Sequence, residues 1–483
     1  MKTVLGYLGS IILVMGLTLT IPAMVALIYK EYYEAFCFLQ VAIVAIFIGF
    51  LVRLKFRPPA EITVIEAMVT SSLAWLTASL IGALPYVLIA KMPFLDAYFE
   101  TMSGFTTTGM TLIENIPSLP HSLLLWRAFT QWIGGIGIIL LFILFIPEGG
   151  LGVGILRLYR AEAREERLRY GVRGTVRRIW TIYLAYTFTC ATLLWILGLN
   201  PFEALTHAFT CLPTGGFSTR DLSIGAYNNF YIEVVLIIFM VLGATNFLTH
   251  VRVFFEGEFK AIFKDSEVKF MLILITISSI IISFELATYN HQDFLEALRT
   301  SIFQVTSILT TTGYTTVNIL NFPPLTKTML TIFMVIGGGI GSTAGAIKIM
   351  RIIIFMKVLH YTLIKNILPP GTVKMLRIGR QVISEESVIR ILGFFVAYFL
   401  LAGVLGGILT FYGFEPFKAF SAVLSAQATV GPCFMEISSS LPAPVKATLI
   451  FGMWAGRLEI IPVLILFMPN TWKEFLRRRR RKP

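Results

Sequence analysis

Four short segments carry the groups best suited to chemistry. They read Thr106-Thr107-Thr108-Gly109, Pro213-Thr214-Gly215-Gly216, Thr310-Thr311-Thr312-Gly313 and Ala428-Thr429-Val430-Gly431. Their final glycines are spaced by 107, 97 and 118 residues. Two positions before each glycine stands a threonine, and six positions before stands a hydroxyl residue: Ser103, Thr210, Ser307 and Ser425. Twelve positions before stands a small residue: Ala97, Ala204, Ser301 and Ala419. An extended Thr-x-Gly strand presents successive carbonyl oxygens, and glycine permits the backbone angles that turn several of them the same way. Four such strands around one axis make rings of four oxygens, which replace the water of a dehydrated cation. Other chemistry finds little support. The four cysteines (Cys37, Cys190, Cys211, Cys433) lie in apolar surroundings without metal-ligand spacing, and the five histidines form no HxxxH or HExxH pair.

The elements that must position these strands are membrane helices. Of 483 residues, 56% are hydrophobic and 14% charged, and the mean hydropathy is +0.79. Soluble domains are about 25% charged, so an ordinary soluble enzyme is excluded. Apolar stretches fall at Thr3–Tyr29, Ala35–Val52, Ala67–Ala90, Ala128–Pro147, Ile179–Pro201, Val234–Leu248, Phe270–Phe284, Thr328–Ile347, Ile391–Phe414 and about Ala447–Asn470, the last interrupted by Arg457 and Glu459. The first is too long for the apolar core of a signal peptide and reads as a retained helix. Ten spans place both termini on one side of the membrane.

The basic residues name that side. Arg53, Lys55 and Arg57 follow the second span. Arg157, Arg160, Arg164, Arg167, Arg169, Arg173, Arg177 and Arg178 fall between the fourth and fifth. Lys260, Lys264 and Lys269 precede the seventh, and Lys365, Lys374, Arg377, Arg380 and Arg390 lie between the eighth and ninth. Arg477 to Arg481 and Lys482 close the chain. All five clusters share one face of a ten-span chain, which the positive-inside rule makes cytoplasmic. The formal net charge of +13 is thus a topology signal, with acidic lipid as a lesser partner and no nucleic acid implied.

The connections on the opposite side, after spans three, five, seven and nine, are long, poor in charge and rich in Thr, Ser, Gly, Phe and Ala. They read as re-entrant segments, each a half-helix followed by an extended return. Irregular backbone at membrane depth is tolerated only where protein buries it or it lines a wet path. The repeating unit is therefore span, half-helix, Thr-x-Gly strand, span. It occurs four times, as 61–150, 151–264, 265–380 and 381–483, after a two-helix preface at 1–60. The competing account is an old quadruplication whose loops only cap a helix bundle.

On these four register-matched segments the chain resembles the Trk/Ktr/HKT superfamily of potassium transporters, nearest its TrkH type, over residues 62 to 470. The resemblance implies an all-α membrane protein with four tandem helix–loop–helix repeats around a pseudo-fourfold pore, and potassium uptake across the cytoplasmic membrane. It implies that Gly109, Gly216, Gly313 and Gly431, with the residues before them, form the filter. Glycine at the first of these goes with potassium preference in the superfamily, and serine there with sodium permeation. The fourth strand departs from the pattern at Pro432, which lacks an N–H. The resemblance further implies a homodimer and a cytosolic TrkA-type nucleotide-binding subunit. It names no resident cofactor, and potassium is cargo. A Ktr-like sodium-stimulated transporter stays open as an alternative, as does a secondary carrier of another solute, although carriers often show inverted repeats and these are parallel. A membrane enzyme is disfavoured because no nucleophile–base or metal constellation lies in the spans.

Two further features sit in the spans. Gly337, Gly338, Gly339, Gly341 and Gly345, with Ser342, Thr343 and Ala344 among them, put five glycines in nine residues. At about 1 kcal/mol each they break a helix, and the resemblance makes this stretch a gate below the filter. Close helix packing is the competing account. A degenerate dinucleotide fingerprint, Gly339-x-Gly341-x-x-Ala344, lacks the preceding strand. Arg457 is a charge inside a span, which is expensive and marks a cavity or a partner. The resemblance puts it against the gate. A structural tie to Glu459 or to carbonyls competes, and residues two apart face different helix sides.

Overall fold

The computed structural model describes residues 2–57, 62–137, 171–289, 291–367, 377–378, 381–382 and 384–480. Arg157, Arg160, Arg164, Arg167, Arg169, Lys374, Arg380, Arg481, Lys482 and the 138–147 end of the fourth apolar stretch lie outside them. The preface is α1 (Lys2–Thr18), α2 (Thr20–Ile28) and α3 (Tyr32–Lys55). The first repeat is α4 (Val64–Ile89), the half-helix α5 (Phe94–Phe105) and α6 (His121–Ile136). The second is α7 (Gly171–Ile196), half-helix α8 (Pro201–Cys211), α9 (Phe230–Gly243) and α10 (Phe247–Glu256). A short α11 (Ala261–Lys264) leads to the third: α12 (Ser266–Tyr289), half-helix α13 (Phe294–Leu309), α14 (Pro324–Ile336) and α15 (Ile349–Lys365). A two-residue antiparallel pair, β1 (Arg377–Ile378) with β2 (Gln381–Val382), precedes the fourth. That repeat holds α16 (Glu385–Phe411), half-helix α17 (Pro416–Ala428), α18 (Ala443–Arg457), α19 (Ile461–Phe467) and α20 (Pro469–Arg480).

Local sequence explains where these begin. Thr63 and Glu66 form a reciprocal capping box at the start of α4. The Asn200 side chain caps α8 with Pro201 at its first position, and Asp293 caps α13. Glu285, near the end of α12, accepts the orphan amides of Leu325 and Thr326 at the start of α14 at 3.0 and 2.7 Å.

Among the described residues, six helices are long and apolar enough to cross a membrane: Lys2–Ile28, Tyr32–Lys55, Val64–Ile89, Arg173–Ile196, Ser266–Tyr289 and Glu385–Phe411. These are the preface and the first helix of every repeat. The second helices differ from the uninterrupted spans that hydropathy draws. The α9–α10 pair bends by 95° and the α18–α19 pair by 119°. Helix α14 stops at Ile336 before the glycine run, and α6 stops at Ile136 with Gly137 at φ 100°. Close approach gives the reason in three repeats. A Cβ on Gly134, Gly243 or Gly456 would lie 1.8, 2.4 or 1.8 Å from the carbonyl oxygen of Phe105, Leu212 or Gln427 respectively. Each of those carbonyls stands four positions before a strand glycine, so the second helices press against the half-helix ends and turn away beneath them.

Buried ions lock neighbouring repeats together. Lys446 Nζ donates to Asp96 at 2.5 Å, joining the fourth and first repeats. Arg127 donates to Glu100 and to the Ser218 carbonyl, both at 2.7 Å, joining the first and second. Arg299 forks onto Glu233 at 2.8 and 2.7 Å, joining the third and second. Lys327 lies 6.0 Å from the Phe434 ring centre, across the third and fourth. Such pairs add little net stability over apolar packing, but breaking one strands a buried charge. They fix the angular order of the four units.

Candidate ion pathway

Each strand repeats one backbone signature. Thr107, Thr214, Thr311 and Thr429 have φ of 57°, 54°, 58° and 55°. Gly109, Gly216, Gly313 and Gly431 have φ of 83°, 77°, 81° and 101°. Alternation of left-handed residues with ordinary ones points successive carbonyls to one side. The amides go to the other side. Thr108 N donates to the Ser103 carbonyl at 2.9 Å, Gly215 N to Thr210 at 2.9 Å, Thr312 N to Ser307 at 2.8 Å and Val430 N to Ser425 at 2.9 Å. The hydroxyl residue six positions back is thus the anchor of every strand. With the N–H groups satisfied behind, the carbonyls are left for the axis.

Contacts between strands close the ring. A Cβ on Gly109 would lie 2.2 Å from the Gly215 carbonyl oxygen. On Gly216 it would lie 2.1 Å from that of Thr312, on Gly313 1.9 Å from that of Val430, and on Gly431 2.5 Å from that of Thr108. Each glycine therefore abuts the carbonyl before the glycine of the next strand, in the order one, two, three, four and back to one. Only a residue without a side chain fits there. All four glycines also line a cavity of about 350 Å³, with Arg127, Arg220, Asp221 and Glu436 among its walls.

The ring is nearer twofold than fourfold. In strands one and three, Ser103 and Ser307 Oγ donate to the carbonyls of Met110 and Tyr314 at 2.6 and 2.7 Å. In the same two strands, Thr106 with Thr108, and Thr310 with Thr312, pair hydroxyls at 2.8 Å. Strands two and four, with Pro213 and Ala428 at the first position, have neither feature among the described contacts. Pro432 is packed at the outer end of the fourth, 2.7 Å from where a Cβ on Gly313 would sit.

Below the strands, residues 337–348 are non-helical and fill the axis. Gly337 has φ 74° and Gly341 φ 71°. Thr343 Oγ1 donates to the carbonyls of Leu212 and Gly243 at 3.0 and 2.9 Å, and its hydroxyl meets that of Thr214 at 3.3 Å. Gly345 N donates to Thr311 Oγ1 at 2.9 Å, and a Cβ on Gly345 would lie 2.1 Å from Thr429 Oγ1. Arg457 donates to Thr107 Oγ1 at 3.1 Å, to the Thr343 carbonyl at 2.9 Å, and to the Gly134 and Gly135 carbonyls at 2.6 and 3.0 Å. Three of the left-handed threonines are therefore bonded from beneath, Thr214 and Thr311 by the loop and Thr107 by the arginine, while Gly345 packs against Thr429. Gly338 and Gly339 lie against the Ala244 carbonyl, and Gly339 N donates to it at 2.8 Å. Ser342 and Ala344 line a small pocket of about 40 Å³ shared with Arg457 and Glu459.

Residues that sequence reasoning did not find hold this loop. Glu267 Oε1 accepts the amides of Ile340 and Met350, each at 3.0 Å, and so clasps both ends of the loop. Glu459 does not pair with Arg457. It pairs with Lys348 Nζ at 2.8 Å and with Arg351, below the loop. The Arg457–carbonyl tie, by contrast, is present together with the contact to the loop. Gln131 of α6 grips the second strand from the side, donating to the Gly215 carbonyl at 2.6 Å and accepting from Phe217 N at 3.1 Å. Glu267 had a faint signal as an acid at a span entrance, while Gln131 had none.

A family model described as TrkH, cation transport protein, matches residues 35–474. The chain belongs to the TrkH family. It is 33% identical over 489 residues to the Trk system potassium uptake protein TrkH of Escherichia coli K12, covering 98% of this chain and 99% of that one. It is 35% identical over 479 residues to a cation transporter of Methanocaldococcus jannaschii, covering 97% and 96%. The crystal structure of the potassium transporter TrkH from Vibrio parahaemolyticus superposes with a TM-score of 0.88 at 29% identity, covering 98% of this chain and 99% of that one. The resemblance read from the sequence and the all-α membrane fold are both met. As a TrkH family member, the chain is a multi-pass membrane protein.

Proposed function

We propose that this chain passes potassium selectively into the cell. The filter is the ring of Thr106–Gly109, Pro213–Gly216, Thr310–Gly313 and Ala428–Gly431. The gate is Gly337–Gly345 together with Arg457. The observation that carries this reading is the closed cycle of glycine-to-carbonyl contacts around four strands. A stack of four-oxygen rings replaces the hydration shell of a dehydrated cation. The half-helices α5, α8, α13 and α17 end at the strands, so their partial negative ends favour a cation there. The potassium-uptake names of relatives matched over nearly their whole length support the same cargo. Expression in a bacterial strain lacking its own potassium uptake tests it. Growth at low external potassium is the expected result. No growth, with the protein present in the membrane, would overturn it.

The division into a preface and four units is part of this reading, as is a cytoplasmic location of both termini in the inner membrane. Lys264 and Asn228 are both exposed, and the ten-span reading places them on opposite sides of the membrane. A cysteine at Lys264 is expected to react with membrane-impermeant thiol reagents from inside only, and one at Asn228 from outside only. Labelling of both from one face would contradict the orientation. On family membership we extend the reading to a homodimer that docks a cytosolic TrkA-type nucleotide-binding subunit. Light scattering of the purified protein, alone and with such a subunit, tests both.

A further inference from the structure

The second strand is built unlike the others, and the difference centres on one side chain. In strands one, three and four the residue before the final glycine is Thr108, Thr312 or Val430, whereas in strand two it is Gly215. Gly215 is not among the residues at positive φ, so its backbone does not require glycine. Space does. A Cβ on Gly215 would lie 2.4 Å from both Cδ and Oε1 of Gln131. Gln131 is fully buried. Its amide occupies the volume that a side chain fills in the other three strands, and it bonds the strand on both sides of Gly216. The outer Ser-to-carbonyl bond of strands one and three has no counterpart here, because Thr210 Oγ1 turns to the Tyr314 hydroxyl at 2.5 Å. Strand two thus has two adjacent glycines, no side chain at its third position, and Gln131 as its lateral support.

We infer that Gln131 is a positioning residue for selectivity: its amide N–H orients the Gly215 carbonyl within the ring and leaves that oxygen's second lone pair for the ion. This deepens the filter reading proposed above and rests on it. A carbonyl oxygen has two acceptor sites, so the bond to Gln131 and coordination of a cation are compatible. Without the bond, only the 3.2 Å bond from Gly216 N to the Thr210 carbonyl holds that peptide between two glycines, and the ring loses part of the fixed spacing that favours the larger ion.

The test compares permeability ratios for potassium over sodium from bi-ionic reversal potentials in planar bilayers. Wild type, Gln131→Leu, the double variant Gln131→Ala with Gly215→Val, and Gly109→Ser are measured side by side. Gln131→Leu keeps the bulk and removes the donor. Its ratio is expected to fall about three- to ten-fold, the range that one hydrogen bond of ordinary net strength supplies. Gln131→Met replaces it if the leucine variant is not monodisperse. The double variant moves the missing bulk onto the strand itself, as at Val430, without restoring the donor, and is expected to keep the lowered ratio. A glutamine that only filled space would be rescued in this way. An unchanged ratio in Gln131→Leu beside a lowered one in Gly109→Ser would overturn the inference and leave the filter standing. Unchanged ratios in both would overturn the filter reading itself. A ratio restored in the double variant would overturn the positioning role and leave Gln131 as a filler of space.

Discussion

Arg457→Gln is expected to raise cation flux through the purified protein in liposomes, with the potassium-to-sodium ratio nearly unchanged. The guanidinium sits 3.1 Å from Thr107 Oγ1, which the proposed gate puts on the path of a cation leaving the ring. Two unit charges ~4 Å apart repel by about 4 kcal/mol at an effective dielectric of ~20, so removing the charge lowers a barrier substantially. Arg457 also satisfies the carbonyls of Gly134, Gly135 and Thr343. Truncation to alanine strips those donors and loosens the loop as well, whereas glutamine removes the charge and keeps a shorter side chain with two amide donors. The expected order of flux is Arg457→Ala and Arg457→Gln above wild type, with Arg457→Lys close to wild type. Deletion of several residues within Gly337–Gly345 is expected to act in the same direction, since the loop bonds Thr214 and Thr311 and packs against Thr429 from below. Selectivity is preserved because the ring lies above the obstruction. Wild-type or lower flux in well-folded Arg457→Gln and Arg457→Ala protein would remove the barrier role and leave the arginine as a brace for α6 and the loop.

Gly109→Ser is expected to lower the potassium-to-sodium permeability ratio by at least about tenfold, which corresponds to ~1.4 kcal/mol of discrimination, with membrane insertion intact. The new Cβ would lie 2.2 Å from the Gly215 carbonyl oxygen, well inside van der Waals contact. Position 109 also holds φ at 83°, which a serine adopts only under strain. The Gly215 oxygen must move or the first strand must shift, and either change breaks the equal spacing of one ring. Bi-ionic reversal potentials read the result. A ratio equal to wild type would take Gly109 out of the ring.

The parts of the site that repeat were legible in the sequence. Thr107, Thr214, Thr311 and Thr429 stand out because four copies share a register, and the hydroxyl six positions earlier stands out for the same reason. The structure supplies the cause: that residue's carbonyl accepts the strand amides in every copy. The first helix of each repeat was also legible, because an uninterrupted apolar helix and its hydropathy profile coincide. Of the second helices, the break at the glycine run 337–345 was legible and the bends were not. Hydropathy averages composition and carries no axis, so Val234–Leu248 reads as one stretch across the point where α9 and α10 meet at 95°. The contact of Gly134, Gly243 and Gly456 with half-helix carbonyls is a long-range fact with only scattered glycines as its local trace. Asymmetry was hidden for a related reason. Pro213-Thr214-Gly215-Gly216 reads as a variant of the repeat, and nothing local shows that Gln131, 84 positions earlier, fills the place of its missing side chain. Glu459 was visible as a charge near Arg457, but its partners Lys348 and Arg351 come from another repeat.

The four Thr-x-Gly strands are proposed to form one cation-selective ring on the conduction path. Reversal potentials of the purified protein in planar bilayers, with potassium on one side and sodium on the other, with and without a proton gradient, test it most directly. The ring predicts a reversal potential set by the potassium gradient and indifferent to protons, shifting toward zero selectivity in Gly109→Ser. A potential that follows the sodium or proton gradient, or one that Gly109→Ser leaves in place, would contradict it.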